Sequence, residues 1–180
     1  MKHILKSLIT VLTLLFLFNF GAFATGAGLQ FGADPGIFIN QDEVKAKVLA
    51  ANITGTVRLS RLPLVAGAGF EGGKYFSDFN YGFSAFCDYW ALDLQLENTW
   101  SIYSGFGAST RLLTDDFSDW KLETAARFFT GVNRLFYDGY LEVYAQQNIA
   151  PSYITALNDN ASKGIFMLYL PFEAGLRMHF

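Results

Sequence analysis

The most constraining stretch of this sequence is its last. Gly164 to Phe180 reads GIFMLYLPFEAGLRMHF, and every even-numbered position from Phe166 to Phe180 is apolar. The odd positions of the same stretch include Glu173, Arg177 and His179. Residues that alternate with period two fall on opposite faces of a strand, whereas a helix would scatter them around its axis. One face therefore suits hydrocarbon and the other carries charge. A chain holding such a strand must find an apolar medium on one side and a polar one on the other.

The rest of the composition agrees. The 180 residues suit one domain, and 52% are apolar and 17% aromatic. Beyond the N-terminal block, no run of eighteen or more apolar residues supplies a membrane helix, so the apolar content is spread over short segments. That block, Leu8 to Phe20, follows Lys2 and Lys6 and precedes Ala22-Phe23-Ala24. A basic start, a short apolar core and a small-residue cleavage site are the features of an export signal. Cleavage is expected after Ala24, giving residues 25–180 as the mature domain. Cys87 is the single cysteine, so an internal disulfide is excluded and strand pairing must supply the stability. The net charge of −3 and the absence of a basic stripe argue against a nucleic-acid partner.

Alternation recurs along the chain. It predicts a first strand over Thr25 to Asp34, a second over Lys47 to Ser60 and a third over Leu64 to Gly72. A fourth spans about Gly82 to Leu96, a fifth starts at Trp100, a sixth covers Trp120 to Tyr137, and a seventh starts at Tyr140. The terminal stretch is the eighth. The apolar faces match if Leu59 lies opposite Leu64, Leu96 opposite Trp100 and Tyr137 opposite Tyr140, the last across an Asp138-Gly139 turn. Between these short connections, Ile37 to Ala46, Gly73 to Tyr81, Leu112 to Asp119 and Ile149 to Lys163 read as longer polar loops. Parity puts Trp90 outward with Leu92, Leu94 and Leu96. It puts Cys87 inward, unless a bulge between Cys87 and Trp90 reverses it.

Eight alternating strands, with a closing strand that ends on an aromatic residue, resemble the small bacterial outer-membrane β-barrels of the OmpX, OmpA-transmembrane and OmpW kinds. The resemblance implies an all-β fold: an eight-stranded antiparallel up-and-down transmembrane β-barrel with short periplasmic turns and four longer outer loops. It also implies a monomer surrounded by outer-membrane lipid. The barrel-assembly machinery would read the terminal strand through Phe172, Leu176, Met178 and Phe180.

The inward positions carry charge. Arg58, Glu71, Asp93, Glu123, Arg127, Glu142, Glu173 and Arg177 are expected to form a luminal network, since an eight-stranded barrel is only wide enough for side chains and buried charges must pair or stay hydrated. Glu123, expected nearest the outer mouth, would be hydrated, or one carboxylate would be protonated. His179 lies at the terminal end, away from any nucleophile, so no catalytic group is assigned. Asp115, Asp116 and Asp119 cluster without the glycine-marked pattern of a calcium loop, and neither a metal nor a cofactor is expected. The glycines of Gly26-x-Gly28 and Gly67-x-Gly69 read as small residues filling a narrow lumen. Phe38, Tyr75, Phe76, Phe79, Tyr81, Phe117 and Tyr153 fall in the expected loops, where they would meet a host or envelope ligand. The function expected is a structural or adhesin-like surface barrel. The alternative is a narrow channel for a small or hydrophobic solute.

Deleting Phe180, or replacing it with a charged residue, is expected to leave the protein exported but poorly inserted. Outer-membrane fractionation with heat-modifiable migration checks this, and normal insertion of the truncated chain would refute it.

Overall fold

The computed structural model describes residues 24–40, 43–59, 62–75, 77–96, 99–157 and 164–180. Of the expected export signal, 1–24, only Ala24 is among them. Nine strands follow in order: β1 Ala24–Asn40, β2 Glu43–Leu59, β3 Leu64–Tyr75, β4 Asp78–Gln95, β5 Trp100–Thr114, β6 Trp120–Phe136, β7 Leu141–Ala156, β8 Ile165–Tyr169 and β9 Phe172–His179. Each pairs antiparallel with its sequence neighbour as far as β8. β8 and β9 together form one closing path, since both lie between β7 and β1. The result is a closed eight-stranded barrel with no sheet edge.

The break in the closing path has a local cause. Pro171 has no N–H to give the ladder, and Pro35 on the facing strand has none either. The neighbouring groups are nonetheless satisfied. Leu170 N–H donates to the Pro35 carbonyl at 3.0 Å and Asn148 N–H to the Pro171 carbonyl at 2.8 Å. The Gln147 side chain adds bonds to the Leu170 and Pro171 carbonyls, both at 3.0 Å.

The hairpin registers follow the matching of apolar faces. Arg58 pairs with Val65, Gln95 with Ser101 and Phe136 with Leu141, each in step with the register read from sequence. At the last hairpin φ is 55° at Asp138 and 91° at Gly139, with Tyr137 also positive at 52°. Tyr140 N–H closes the turn on the Tyr137 carbonyl at 3.1 Å.

Two expectations change. The segments read as long loops are largely strand: β1 and β2 leave only 41–42 between them, and β3 and β4 only 76–77. β7 continues through Ile149 to Ala156, and β5 ends at Thr114. Polar residues were the signal for those loops, but polarity does not stop a strand that has left hydrocarbon. About 9 to 11 residues suffice to cross, so strands of 17 residues such as β1, β2 and β6 project well beyond the apolar belt.

The second change concerns β4. Trp90 pairs with Gly105 but Leu92 with Ser104, so Ala91 is an extra residue, a β-bulge. On one side of it, Leu92 and Leu94 face outward as expected. On the other, parity is reversed: Trp90 is buried in the lumen with Asp88, and Cys87 is exposed on the outer wall.

The outer wall is an apolar belt that includes Phe31, Ile53, Phe70, Phe83, Phe106, Phe128, Ile149 and Leu176, all exposed. Such a belt is stable only against hydrocarbon. Aromatic groups mark both of its margins. Tyr81, Phe117 and Trp120 cluster at the end away from the chain termini, with Tyr81 and Phe117 centroids 5.1 Å apart. Trp100 lies at the terminal end with Arg134 over its ring at 5.2 Å. Trp90, inside the barrel, is not part of either girdle. Phe128 sits at the middle of β6 on this wall, so Phe128→Arg is expected to cost about 2 to 4 kcal/mol in a urea folding titration. Thr99→Arg, at an exposed turn, should cost about 0.5 kcal/mol or less. Equal costs would overturn the facing assignment.

Candidate functional site

The lumen is packed in layers, and the strands fix their order. Along β6, Asn133, Phe129, Arg127 and Glu123 all point inward and lead from the terminal end to the far end. Asn133 belongs to an ionic layer centred on Glu142. This fully buried carboxylate accepts from Asn133 Nδ2 at 2.7 Å and Arg177 Nη1 at 2.8 Å, and His179 Nε2 lies 2.9 Å away. Arg58 stands at the mouth, 3.6 Å from Asp93 and 3.9 Å from Glu142.

Above this lies an aromatic layer of Trp90, Tyr103, Phe129 and Tyr144 with Val65. Trp90 and Tyr103 stack face to face, centroids 4.0 Å apart and rings within 2° of parallel. Their room comes from glycine. A Cβ on Gly131 would stand 2.5 Å from the Tyr103 ring, and one on Gly105 would stand 2.6 Å from Phe129.

Next is the Arg127 layer. Its guanidinium donates to both Asp88 oxygens, at 2.9 and 3.1 Å, and to both Glu173 oxygens, at 3.1 and 2.9 Å. Three strands, β4, β6 and β9, are thereby tied across the lumen. Gln146 donates to Glu173 at 2.7 Å and accepts from Tyr103 Oη at 3.0 Å, which links this layer to the aromatic one.

Beyond it Arg111 contacts three buried carboxylates: Asp34 at 2.6 Å, Glu71 at 3.1 Å and Glu123 at 3.5 Å. Tyr75 Oη donates to Glu71, and Asn52 Nδ2 donates to Asp34 at 3.1 Å. An apolar cap that includes Val48, Leu113, Ile154 and Met167 closes the far end. Each luminal arginine also lies over a ring: Arg58 over Trp90 at 4.3 Å, Arg177 over Tyr144 at 4.7 Å, Arg127 over Phe86 at 4.6 Å and Arg111 over Tyr169 at 4.8 Å.

The structure thus places all eight sequence-assigned residues at the lumen or its terminal mouth, divided among three clusters. Arg177 is at the terminal end and Arg127 near the middle. Glu123, expected to be hydrated or else to leave one carboxylate protonated, is only 1% exposed, beneath the apolar cap and 3.5 Å from Arg111, so burial removes it from bulk water. Sequence reading missed Asp34, Asp88 and Arg111, which complete two of the clusters. Phe172, Leu176, Met178 and Phe180 all stand exposed on the outer wall. Of the aromatic residues assigned to loops, Tyr75 is buried in the lumen, while Phe79 and Tyr153 are exposed on strand ends. The side chain of Phe38, and all of Phe76, lie outside the described residues.

Phe117 does occupy a connection. It is exposed with φ 64°, and its N–H donates to Thr114 Oγ1 at 2.9 Å. In the same turn Asp116 accepts from the Ser118 hydroxyl at 2.7 Å and from the Ser118 N–H at 2.9 Å, which holds its carboxyl below the usual range. Among the described residues no three His, Cys, Asp or Glu side chains converge as a metal-ligand set.

Three cavities stand out among the described residues. One of about 420 Å³ lies on the outer wall among Ala68, Phe70, Phe83 and Leu112. One of about 10 Å³, room for a single water, lies between the Arg111 and Arg127 layers. The third, about 590 Å³, is a polar bowl at the terminal mouth.

Neither a family model nor a curated protein matches the sequence. Among solved structures the chain is similar to Neisserial surface protein A, with a TM-score of 0.54 at 17% identity over 86% of this chain and 97% of that one. Ail, the attachment invasion locus protein of Yersinia pestis, aligns with a TM-score of 0.39 at 10% identity over 87% of this chain and 99% of that one. The first likeness agrees in fold with the closed barrel described above.

Gly131→Ala is expected to destabilise the barrel by about 1 to 3 kcal/mol through overpacking against Tyr103. In a Tyr103→Ala background the added cost should shrink markedly. Urea midpoints of the four proteins in this cycle are the measurement.

Proposed function

From the premise that this chain folds as a small eight-stranded outer-membrane β-barrel, we propose that it resides in the bacterial outer membrane as a non-enzymatic structural and surface-interaction barrel. In this reading the lumen is sealed by its own side chains. The termini and short hairpins face the periplasm, and the projecting ends of β1 to β8, with the connection from β5 to β6, carry Phe79, Tyr81, Phe117 and Tyr153 toward a partner outside the cell.

The observation that carries the reading is the Arg127 layer. A guanidinium bonded bidentately to carboxylates on two other strands spans the lumen and fixes its own position. An apolar solute would have to displace it and strand two buried carboxylates, which costs several kcal/mol. A polar lumen of this kind argues against passage of a hydrophobic molecule. The aromatic layer on one side and the Arg111 cluster and apolar cap on the other add further barriers.

Planar-bilayer recordings test the seal. The wild-type barrel should give no stable single-channel steps, and Arg127→Ala should introduce them while lowering the urea midpoint by the equivalent of about 3 to 5 kcal/mol. Large steady steps from the wild type would refute the sealed lumen.

A further inference from the structure

The bowl at the terminal mouth has a chemistry that the sealed lumen does not require. Thr25, Thr99 and Ser101 are among its lining residues, and Arg58, Asp93 and His179 are the ionisable ones among them. Its volume, about 590 Å³, is in the range of small-molecule sites. Arg58, which lines the bowl, lies over the Trp90 ring of the stacked Trp90–Tyr103 pair.

Arg58 differs from the other three luminal arginines. Arg111, Arg127 and Arg177 each have a carboxylate oxygen within 2.6 to 2.9 Å. The closest carboxylate contacts of Arg58 are 3.6 and 3.9 Å, beyond hydrogen-bond distance. What positions its guanidinium is the Trp90 ring, 4.3 Å away. Arg58 and Asp93 are also partly open, at 25% and 43% side-chain exposure, whereas the deeper pairs are closed to solvent. An exposed pair at this separation contributes little to stability. Opening it therefore costs little.

We propose that the bowl binds the α-amino-acid group of a small zwitterion, with its carboxylate on Arg58 and its ammonium on Asp93. An α-amino acid carries opposite charges separated by one carbon, which suits a cation and an anion that face each other without touching. Each end would replace a long contact with a short charge-assisted bond. A lone anion would meet Asp93 and a lone cation would meet Arg58, so the pair selects molecules bearing both charges. The remaining volume, bordered by the threonine and serine residues, takes the side chain.

Isothermal titration of the folded barrel in detergent micelles with L-alanine, L-alaninamide and N-acetyl-L-alanine tests this. L-alanine should bind saturably, and the two blocked forms at least about tenfold more weakly, the effect of losing one charged hydrogen bond. Arg58→Gln should weaken alanine binding by a similar factor and erase the difference between alanine and alaninamide. Asp93→Asn should erase the difference between alanine and N-acetylalanine. Heat-modifiable migration reports whether each variant is folded. If Arg58→Gln does not fold, the blocked probes and the half-exposed Asp93→Asn still decide. Absence of alanine binding, equal binding of all three probes, or unchanged selectivity in Asp93→Asn would overturn the proposal.

Discussion

Hydrocarbon supplies no hydrogen-bond partners, and that one constraint governs the rest of this structure. Each unpaired backbone group within it would cost several kcal/mol, so the strands must close on themselves. Closure here depends on β1, which pairs with β2 on one side and with β8 and β9 on the other. The two prolines that face this seam remove donors from it, and the nearby carbonyls are met instead by Leu170, Asn148 and the Gln147 amide. The ladder is thus maintained by a side chain where the backbone cannot do it.

Closing so few strands leaves a narrow interior, and period-two alternation fills it with whatever the outer wall excludes. The charged residues are therefore inside because hydrocarbon is outside. They are tolerable there because the arginines are shared: Arg127 serves two carboxylates and Arg111 contacts three. Layers of rings between and over the guanidinium groups supply the packing that ions alone would not. The glycines paired with Tyr103 and Phe129 serve the same end, since these large rings lie over the neighbouring strand where it has no side chain.

Much of this was legible in the sequence, because matching apolar faces across a short turn leaves one register for each hairpin. Arg58, Arg127 and Arg177 could be read as inward for the same reason. The misses have physical causes. Arg111 has inward parity but stands one residue before a stretch read as loop, and Asp34 is the last residue of the first predicted strand. Both strands instead run on past the apolar belt, where alternation is no longer imposed by lipid and the pattern fades. Asp88 was hidden by the bulge at Ala91. One extra residue has no compositional signature, yet it inverts every facing on one side of it, and so it hid Trp90 and exposed Cys87. Contacts between distant strands, such as Arg127 with Asp88 and Glu173, follow from closure and shear and not from any local spacing.

The closing strand bears on whether the wall can part. β9 carries Leu176 and Met178 on its outer face, but its inner face holds Glu173 and Arg177, which are bonded to Arg127 on β6 and Glu142 on β7. Parting β1 from β9 would break the backbone ladder and, if β9 swung away, would also pull an acid and a base out of their interior partners. The seam and the filling of the lumen therefore stand or fall together. A lateral gate at this position, a sideways exit for a lipid-soluble molecule into the bilayer, is opposed by the interior as well as by the wall.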